Sequence, residues 1–399
     1  MIVPLRELFN REYTEEKYRS LVSRLNEECG TRVSFRICET PVFIPSGLMS
    51  AMETAGAEII AQLMTSTEYR KHSERSVPEK YRAPGDSMHP LFLSLDFGIV
   101  RDETGALSPR LIELQGFPTL YAYQPVLTRL YREVYGLGQE LDSLLGGLDV
   151  ERYHQLLRRA VLGDHVPENV ILMEIDPLQQ KTLPDFLLTE RLCGISTVNI
   201  RDITKQGNRL FYRRKGTLIP INRIYNRTII EELSRSGARL GFSFCDDLQV
   251  EWAGHPNWFF KLSKFSLPFL RHPAVPQTFF LSELQALPDD LENWVLKPLF
   301  SFAGSGVTIA PTRAAIESIP DRIRGEFVLQ RRVHYAEFVQ TPHGGTKAEV
   351  RIMYIWLEKL LPVNNLVRMG RGQLMGVNQN RDLKWVGSSA GLCATSVTN

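Results

Sequence analysis

The sequence predicts an α/β (α+β) fold with mixed sheets, preceded by a helical and mixed segment. Three stretches carry that expectation. Residues 91–100 and 110–115 are apolar, strand-like runs joined by a Gly-containing turn, which reads as a hairpin. Residues 170–175, 183–192 and 198–203 have a strand–helix–strand rhythm, with a turn at Gly194. Residues 294–297, 327–330 and 349–356 read as strands of an antiparallel module.

The elements follow in chain order. Residues 13–28 have helical spacing (Tyr18, Leu21, Val22, Leu25), and Gly30 is a natural stop. Residues 33–38 alternate like a strand. Ser46 is expected to cap a helix through Met52, Ile59, Ile60 and Leu63. Residues 65–87 are polar and rich in Arg, Lys and Glu, which predicts a mobile surface loop. Helices are expected over 124–145 and 149–162, and a strand over 218–225. A Pro-studded linker then follows His255-Pro256 as far as Pro276. The expected division is a mixed helical region (1–90), a metal-binding strand pair with a central α/β substrate domain (91–255), and a nucleotide-binding subdomain (256–399).

Composition narrows the function classes. Of 399 residues, 43% are hydrophobic and 23% charged, which excludes a disordered or fibrous chain. Lys and Arg number 47 against 45 Asp and Glu, so no bulk field points to a nucleic-acid or membrane partner. No apolar run approaches the ~18 residues needed to span a bilayer. The five cysteines are scattered without a C-x-x-C pair, as expected of reduced buried thiols. Residues 1–8 lack the basic-then-apolar pattern of a secretory leader, and the expected location is cytoplasmic. Neither H-E-x-x-H nor G-x-S-x-G occurs, so zinc and serine-hydrolase chemistry have no support.

The sharpest motif is Trp294-Val-Leu-Lys-Pro-Leu-Phe-Ser-Phe-Ala-Gly-Ser-Gly-Val-Thr308. A strand delivers Lys297, and a loop with Gly304, Ser305 and Gly306 lets backbone N–H groups approach phosphate oxygens closely. Alone, the segment also reads as an ordinary hairpin with a solvated lysine. Downstream, a strand ends in a polar hinge at Gln330, Arg331 and Val333; upstream lies Lys264. Two lysines, a glycine loop and a hinge whose backbone can meet an adenine edge are the parts of a nucleotide cleft. In these motifs the sequence resembles the ATP-grasp superfamily.

A second constellation lies earlier. Asp96, Glu113 and Gln115 are placed to share one face of paired strands, an oxygen set that suits Mg²⁺. Alone, they also read as solvent-facing groups at a sheet edge. The acidic strands precede the lysines, an order that resembles the circularly permuted ATP-grasp ligases, above all the synthetase domain of glutathionylspermidine synthases. The likeness runs over about residues 90–340. It implies a circularly permuted ATP-grasp-like fold using ATP and Mg²⁺. Asp96 and Glu113 would be the acidic metal ligands, with Gln115 where the family has Asn. Lys264 and Lys297 would hold the phosphates, and Gln330 would face adenine. Ser94 stands where the synthases have an arginine serving the transferred phosphoryl group. Nothing in the sequence points to glutathione or spermidine.

Further cations lie toward the C-terminus. Residues 347–356 alternate, placing Lys347, Glu349 and Arg351 on one face, which resembles the E-x-R-V strand of ordinary ATP-grasp ligases. Arg351 is positioned to offset γ-phosphoryl charge; a salt-bridged exposed face is the plainer alternative. Arg368 and Arg371 lie beside glycines and suit phosphate or a carboxylate, Asn378 or Asn380 is a minor further candidate for the metal, and Arg223 and Arg227 suit an acidic substrate. The expected activity is an ATP- and Mg-dependent carboxylate–amine ligase. It would act on a small-molecule or peptide acid and an amine through an acyl phosphate, giving an amide and ADP. Phosphorylation without ligation, or a nucleotide-binding protein that acts through partner binding, are the alternatives. The oligomeric state is open.

Overall fold

Long alternating segments build the centre of the molecule, with charges gathered along part of one face. The computed structural model describes residues 1–301, 305–373, 375–376 and 382–394. The strands that frame the site are β1 (Phe92–Arg101), β2 (Leu107–Gln115), β3 (Thr278–Phe280), β4 (Trp294–Pro298), β5 (Thr308–Ile309), β6 (Phe327–Arg331), β7 (Val339–Thr341), β8 (Gly344–Trp356), β9 (Leu360–Gly370) and β10 (Gly387–Ser389). The largest sheet is antiparallel in the order β10-β9-β8-β1-β2, with β7 beside β8. One face carries Leu95, Phe97, Leu114, Val350, Ile352 and Val367. It packs against Met52, Ile59 and Ile60 of helix Ser46–Thr65. That burial is the hydrophobic driving force for the sheet; the opposite face is apolar at Phe92, Met353, Ile355 and Leu366, which join a second core, and polar at Ser94, Asp96, Glu349, Arg351 and Arg368.

A second antiparallel sheet, β3-β6-β4-β5, stands beside it. A parallel sheet runs in the order Glu251–Ala253, Arg223–Asn226, Val170–Glu174, Ser196–Asn199. Thr204–Gln206, Arg209–Arg214 and Thr217–Ile221 form a small antiparallel sheet. Val42–Phe43, Gly391–Ala394 and Leu141–Asp142 form a mixed one, parallel in its first pairing and antiparallel in its second. The β1–β8 pairing joins strands from either side of residue 255, so the largest sheet crosses that expected boundary. Among the described residues, no helix is long and apolar enough to cross a membrane.

Several elements match their sequence signals. Helix Glu15–Cys29 is capped by Thr14 and stopped by Gly30 at φ 70°. Helix Val150–Leu162 is capped by Asp149, and helix Leu183–Cys193 ends at Gly194. Others differ for physical reasons. Residues 33–38 form no strand, only a single bridge from Ile37 to Ser388. Helix Ser46–Thr65 has Pro45 at its N-cap and no side-chain cap. The 124–145 helix stops at Tyr135 because Gly136 turns left-handed. Residues 218–225 divide between two sheets, and a 3-10 turn at Ile200–Asp202 replaces the end of the 198–203 strand.

Two expected loops are packed structure. Residues 65–87 contain helix Thr67–Ser76, capped by Ser66. Buried Tyr69 donates to the Lys261 carbonyl, and Lys261 Nζ pairs with Glu74 and Asp86. The expected linker after residue 255 holds helix Trp258–Lys261 and the 3-10 helix Lys264–Phe269, with Leu262, Leu267 and Leu270 in the core.

Candidate functional site

The polar face of the largest sheet gathers charges by register. Glu113, Asp96 and Arg351 face one another across β2, β1 and β8, while Glu349 faces Arg368 across β8 and β9. Arg351 grips Asp96 with two parallel hydrogen bonds, Nε to Oδ1 at 2.6 Å and Nη2 to Oδ2 at 2.7 Å. Arg368 also donates to Asp96 Oδ2, and its Nη2 lies 2.6 Å from Glu349 Oε1. Tyr335 Oη donates to Glu349 Oε2 at 2.6 Å. Its ring reaches that carboxylate because residue 98 is glycine: a Cβ there would lie 2.7 Å from Tyr335 Cε1.

The two lysines enter from neighbouring elements. Lys264 begins a 3-10 helix fixed by a reciprocal Ser263–Ser266 capping box. Its Nζ donates to the Ser301 carbonyl at 2.6 Å and lies 3.7 Å from Glu113 Oε2. Gly116 lets β2 end against this segment, since a Cβ would meet the Trp258 carbonyl at 2.6 Å. Lys297 on β4 donates to the Ile112 carbonyl at 3.0 Å and to Gln330 Oε1. Ile112 is the extra residue at a register shift between β1 and β2, so no β1 residue faces it. Gln330 therefore joins the cluster, and its Nε2 is buried without a partner.

Burial sets the electrostatics. Asp96 is 1% exposed and Lys297 and Arg351 are 6% exposed. Burial opposes the Asp96 charge, but the Arg351 and Arg368 guanidiniums overcome it and hold the carboxyl below its ordinary range. Glu113 is likewise lowered: burial works against it, and Lys264 is the strongest opposing influence. Glu349 is raised by burial, which Arg368 only partly offsets. Burial brings the Lys297 ammonium down to about 8, against the pull of Glu113. With its carboxylates ionised, the cluster sets Asp96, Glu113 and Glu349 against Lys264, Lys297, Arg351 and Arg368. It holds one positive charge in excess, the sign that suits a phosphate.

Magnesium fits these residues poorly. Both Asp96 oxygens are held by guanidiniums, and Glu113 Oε1 accepts from Gln115 Nε2 at 2.7 Å. What remains are one carboxylate oxygen, Glu113 Oε2, with Lys264 Nζ 3.7 Å away, and two neutral oxygens, Gln115 Oε1 and Ser94 Oγ, both buried without a hydrogen-bond partner. Among the described residues, no group of three His, Cys, Asp or Glu side chains could hold a metal ion.

The remaining expected residues are dispersed. Gly304, Asn378 and Asn380 lie outside the described residues. Ser305 and Gly306 form an exposed turn, with Gly306 at φ 71°. Arg331 pairs with Asp290 over the Trp294 ring, Val333 is half-buried beyond β6, and Arg371 donates to the Lys384 carbonyl. Arg223 serves packing: it donates to the Val161 and Ala160 carbonyls and pairs with Glu251.

Arg227 differs. It follows strand Arg223–Asn226 at the carboxyl end of the parallel sheet, a usual place for ligands in α/β folds. It is 2% exposed, stacked between Phe117 and Phe186, and its Nε and Nη1 have no hydrogen-bond partner. Asp185, 4.0 Å away, accepts the backbone N–H groups of Leu120, Ala122 and Tyr123. Nearby Glu174 is pushed up to about 8 by burial, against the pull of Arg227. Phe117 also lines the small cavity beside the cluster, with Glu113, Gln115, Lys264 and Ser301, so one ring separates the two groups. That cavity measures about 30 Å³, against about 320 Å³ for a second one lined by Phe244, Asp247, Glu251 and Trp252.

Glu174 and Tyr335 escaped the sequence reading, each being one polar residue in an apolar or hinge segment. The apolar strand interrupted only by Glu174 was the available signal.

No protein-family model and no curated protein matches the chain. Among solved structures, it is similar to a glutathione synthetase-like effector from Globodera pallida in its apo form. The TM-score is 0.62 at 8% identity, covering 96% of this chain and 98% of that one. The chain thus shares the mixed α+β fold of that glutathione synthetase-like protein.

Proposed function

We propose that the protein is an ATP-dependent carboxylate–amine ligase on a circularly permuted ATP-grasp fold of the glutathionylspermidine synthetase kind. The observation that carries this reading is the proximity of two unlike sites. A buried cluster with excess positive charge lies one aromatic ring away from Arg227, a buried guanidinium with two unused donors. The first suits a polyphosphate and the second a carboxylate. The fold likeness to a glutathione synthetase-like protein adds to it.

In this reading Lys264, Lys297, Arg351 and Arg368 hold the triphosphate, and Arg227 orients the acid. A carboxylate oxygen attacks the γ-phosphorus and the bond to the ADP oxygen breaks. The amine nitrogen then attacks the acyl carbon, phosphate leaves, and nitrogen gives up a proton. Positioning and charge stabilisation carry the catalysis. Magnesium has no step here, because the residues expected to hold it do not fit. The test is ADP release by the full chain supplied with ATP and a panel of acids and amines. Release that needs acid and amine together supports ligation.

A second reading has its own observation. Asp96 is held by two arginines and Ser94 brings no charge, which favours a nucleotide-binding protein acting through a partner. That protein would bind ATP without turning it over under any acid–amine pair.

A further inference from the structure

Glu174 and Arg227 are buried neighbours, each 2% exposed, at the carboxyl ends of adjacent parallel strands. Asn226 faces Met173, and the Arg227 N–H continues that ladder to the Met173 carbonyl at 3.0 Å, which sets Arg227 beside Glu174. The two side chains nevertheless turn to other groups. Arg227 pairs with Asp185 at 4.0 Å, Glu174 Oε1 accepts from the Ile175 N–H at 2.7 Å, and Arg227 Nε and Nη1 stay unused.

Resting on the reading of Arg227 as the site of the acid, we propose that Glu174 governs carboxylate binding there. Its neutral form leaves the guanidinium to the substrate carboxylate and donates to it, whereas its ionised form takes the guanidinium and excludes the substrate.

The charge count supports this role. With Glu174 neutral, Arg227 and Asp185 cancel, and Asp185 draws on three backbone N–H groups rather than on the free donors of Arg227. An entering carboxylate then leaves one net negative charge and meets Nε, Nη1 and the Glu174 O–H. With Glu174 ionised, the same entry leaves two net negative charges in a buried site and finds one donor fewer. Burial favours the neutral form up to about pH 8, so the guanidinium is open to an acid at neutral pH. The other groups nearby do not reverse that balance. Glu232, which accepts from Gln180 Nε2 at 3.0 Å, adds to the pressure against ionised Glu174. Asn199, opposite Glu174 on the next strand, carries no charge, and burial keeps the Tyr121 and Tyr225 phenols around Arg227 neutral.

The experiment titrates acetate, ¹³C-labelled at its carboxyl, against the full chain without nucleotide. Bound acetate is read from NMR line broadening, with Arg227→Met as the blank. The expected affinity is about tenfold weaker at pH 9 than at pH 6.5, the fall set by a competent fraction that halves near pH 8. Glu174→Gln stays neutral, so its affinity is expected to hold level over the same range. Proton uptake on acetate binding at pH 8, read by calorimetry in two buffers of different ionisation heat, is the matching result from wild type alone.

A level wild-type profile, an equal fall in Glu174→Gln, or binding without proton uptake overturns the proposal while leaving Arg227 as the site of the acid. Broadening no greater in wild type than in Arg227→Met at every pH overturns the proposal and the place of Arg227 in the acid reading together.

Discussion

Asp96 and Arg351 face each other on adjacent antiparallel strands, and their side chains lock in a two-bond fork at 2.6 and 2.7 Å. The pair is buried, so neither charge has water to fall back on.

Removing one partner should therefore cost far more than removing both. Arg351→Ala leaves Asp96 with Arg368 as its remaining cation and is expected to destabilise the protein by about 3–5 kcal/mol. Asp96→Asn combined with Arg351→Met should recover most of that loss. Guanidinium chloride unfolding of the two single variants and the double variant gives the coupling. Additive losses would mean that the fork contributes little.

The framework of this site was legible because strands announce themselves locally. β1, β2 and β8 alternate between apolar and polar residues, and Lys297 sits in a run too apolar to be a loop. The partners were not legible. Asp96 and Arg351 are 255 positions apart, and only the β1–β8 pairing says which arginine meets which carboxylate. The same blindness explains residues 33–38, whose alternation promised a strand. Their backbone meets one bridge residue, Ser388, because tertiary context decides where an alternating run finds a ladder. Residues 65–87 looked mobile by composition, yet Tyr69 and Lys261 tie them down from nearly two hundred residues apart.

Lys297 should give the protein a measurable pH signature. Burial lowers its folded-state value from 10.5 to about 8, so between those limits the unfolded chain binds more protons than the folded one. Stability from this residue therefore rises with pH across about 8 to 10.5, where the charge ceases to be a burden. Lys297→Met should be more stable than wild type below pH 8, with the difference narrowing above it. Nucleotide affinity should move the other way, falling as pH climbs through 8 in wild type. Lys297→Arg stays charged and should hold its affinity flat to pH 9. A flat wild-type affinity profile would remove Lys297 from the phosphate contacts.

Gly98 is expected to be irreplaceable because of Tyr335. A methyl group at residue 98 would press on Tyr335 Cε1 at 2.7 Å and on Ile112 Cδ1 at 3.0 Å. Gly98→Ala should cost about 1–3 kcal/mol by overpacking and push the phenol off Glu349. Tyr335→Phe removes the hydroxyl alone and leaves Glu349 Oε2 short of a donor, a loss of about 1–3 kcal/mol. Adding Tyr335→Phe to Gly98→Ala should then cost little more. Chemical denaturation of the three variants decides this, and full additivity would show that the glycine serves some other contact.

Arg227 should show opposite effects on stability and on function. Two of its nitrogens are buried without partners, Asp185 already has three backbone donors, and burial leaves Glu174 protonated at neutral pH. The guanidinium therefore carries a desolvation cost that its ion pair at 4.0 Å only partly offsets. Arg227→Met keeps the stacking volume between Phe117 and Phe186 without the charge, and is expected to stabilise the fold by about 1–3 kcal/mol. The same change should abolish acid-dependent ADP release while ATP binding persists, since the nucleotide cations are untouched. Thermal unfolding, calorimetric ATP titration and an ADP assay on one variant separate the outcomes. A destabilised Arg227→Met would mean that the arginine is structural, and retained acid-dependent turnover would place the acid elsewhere.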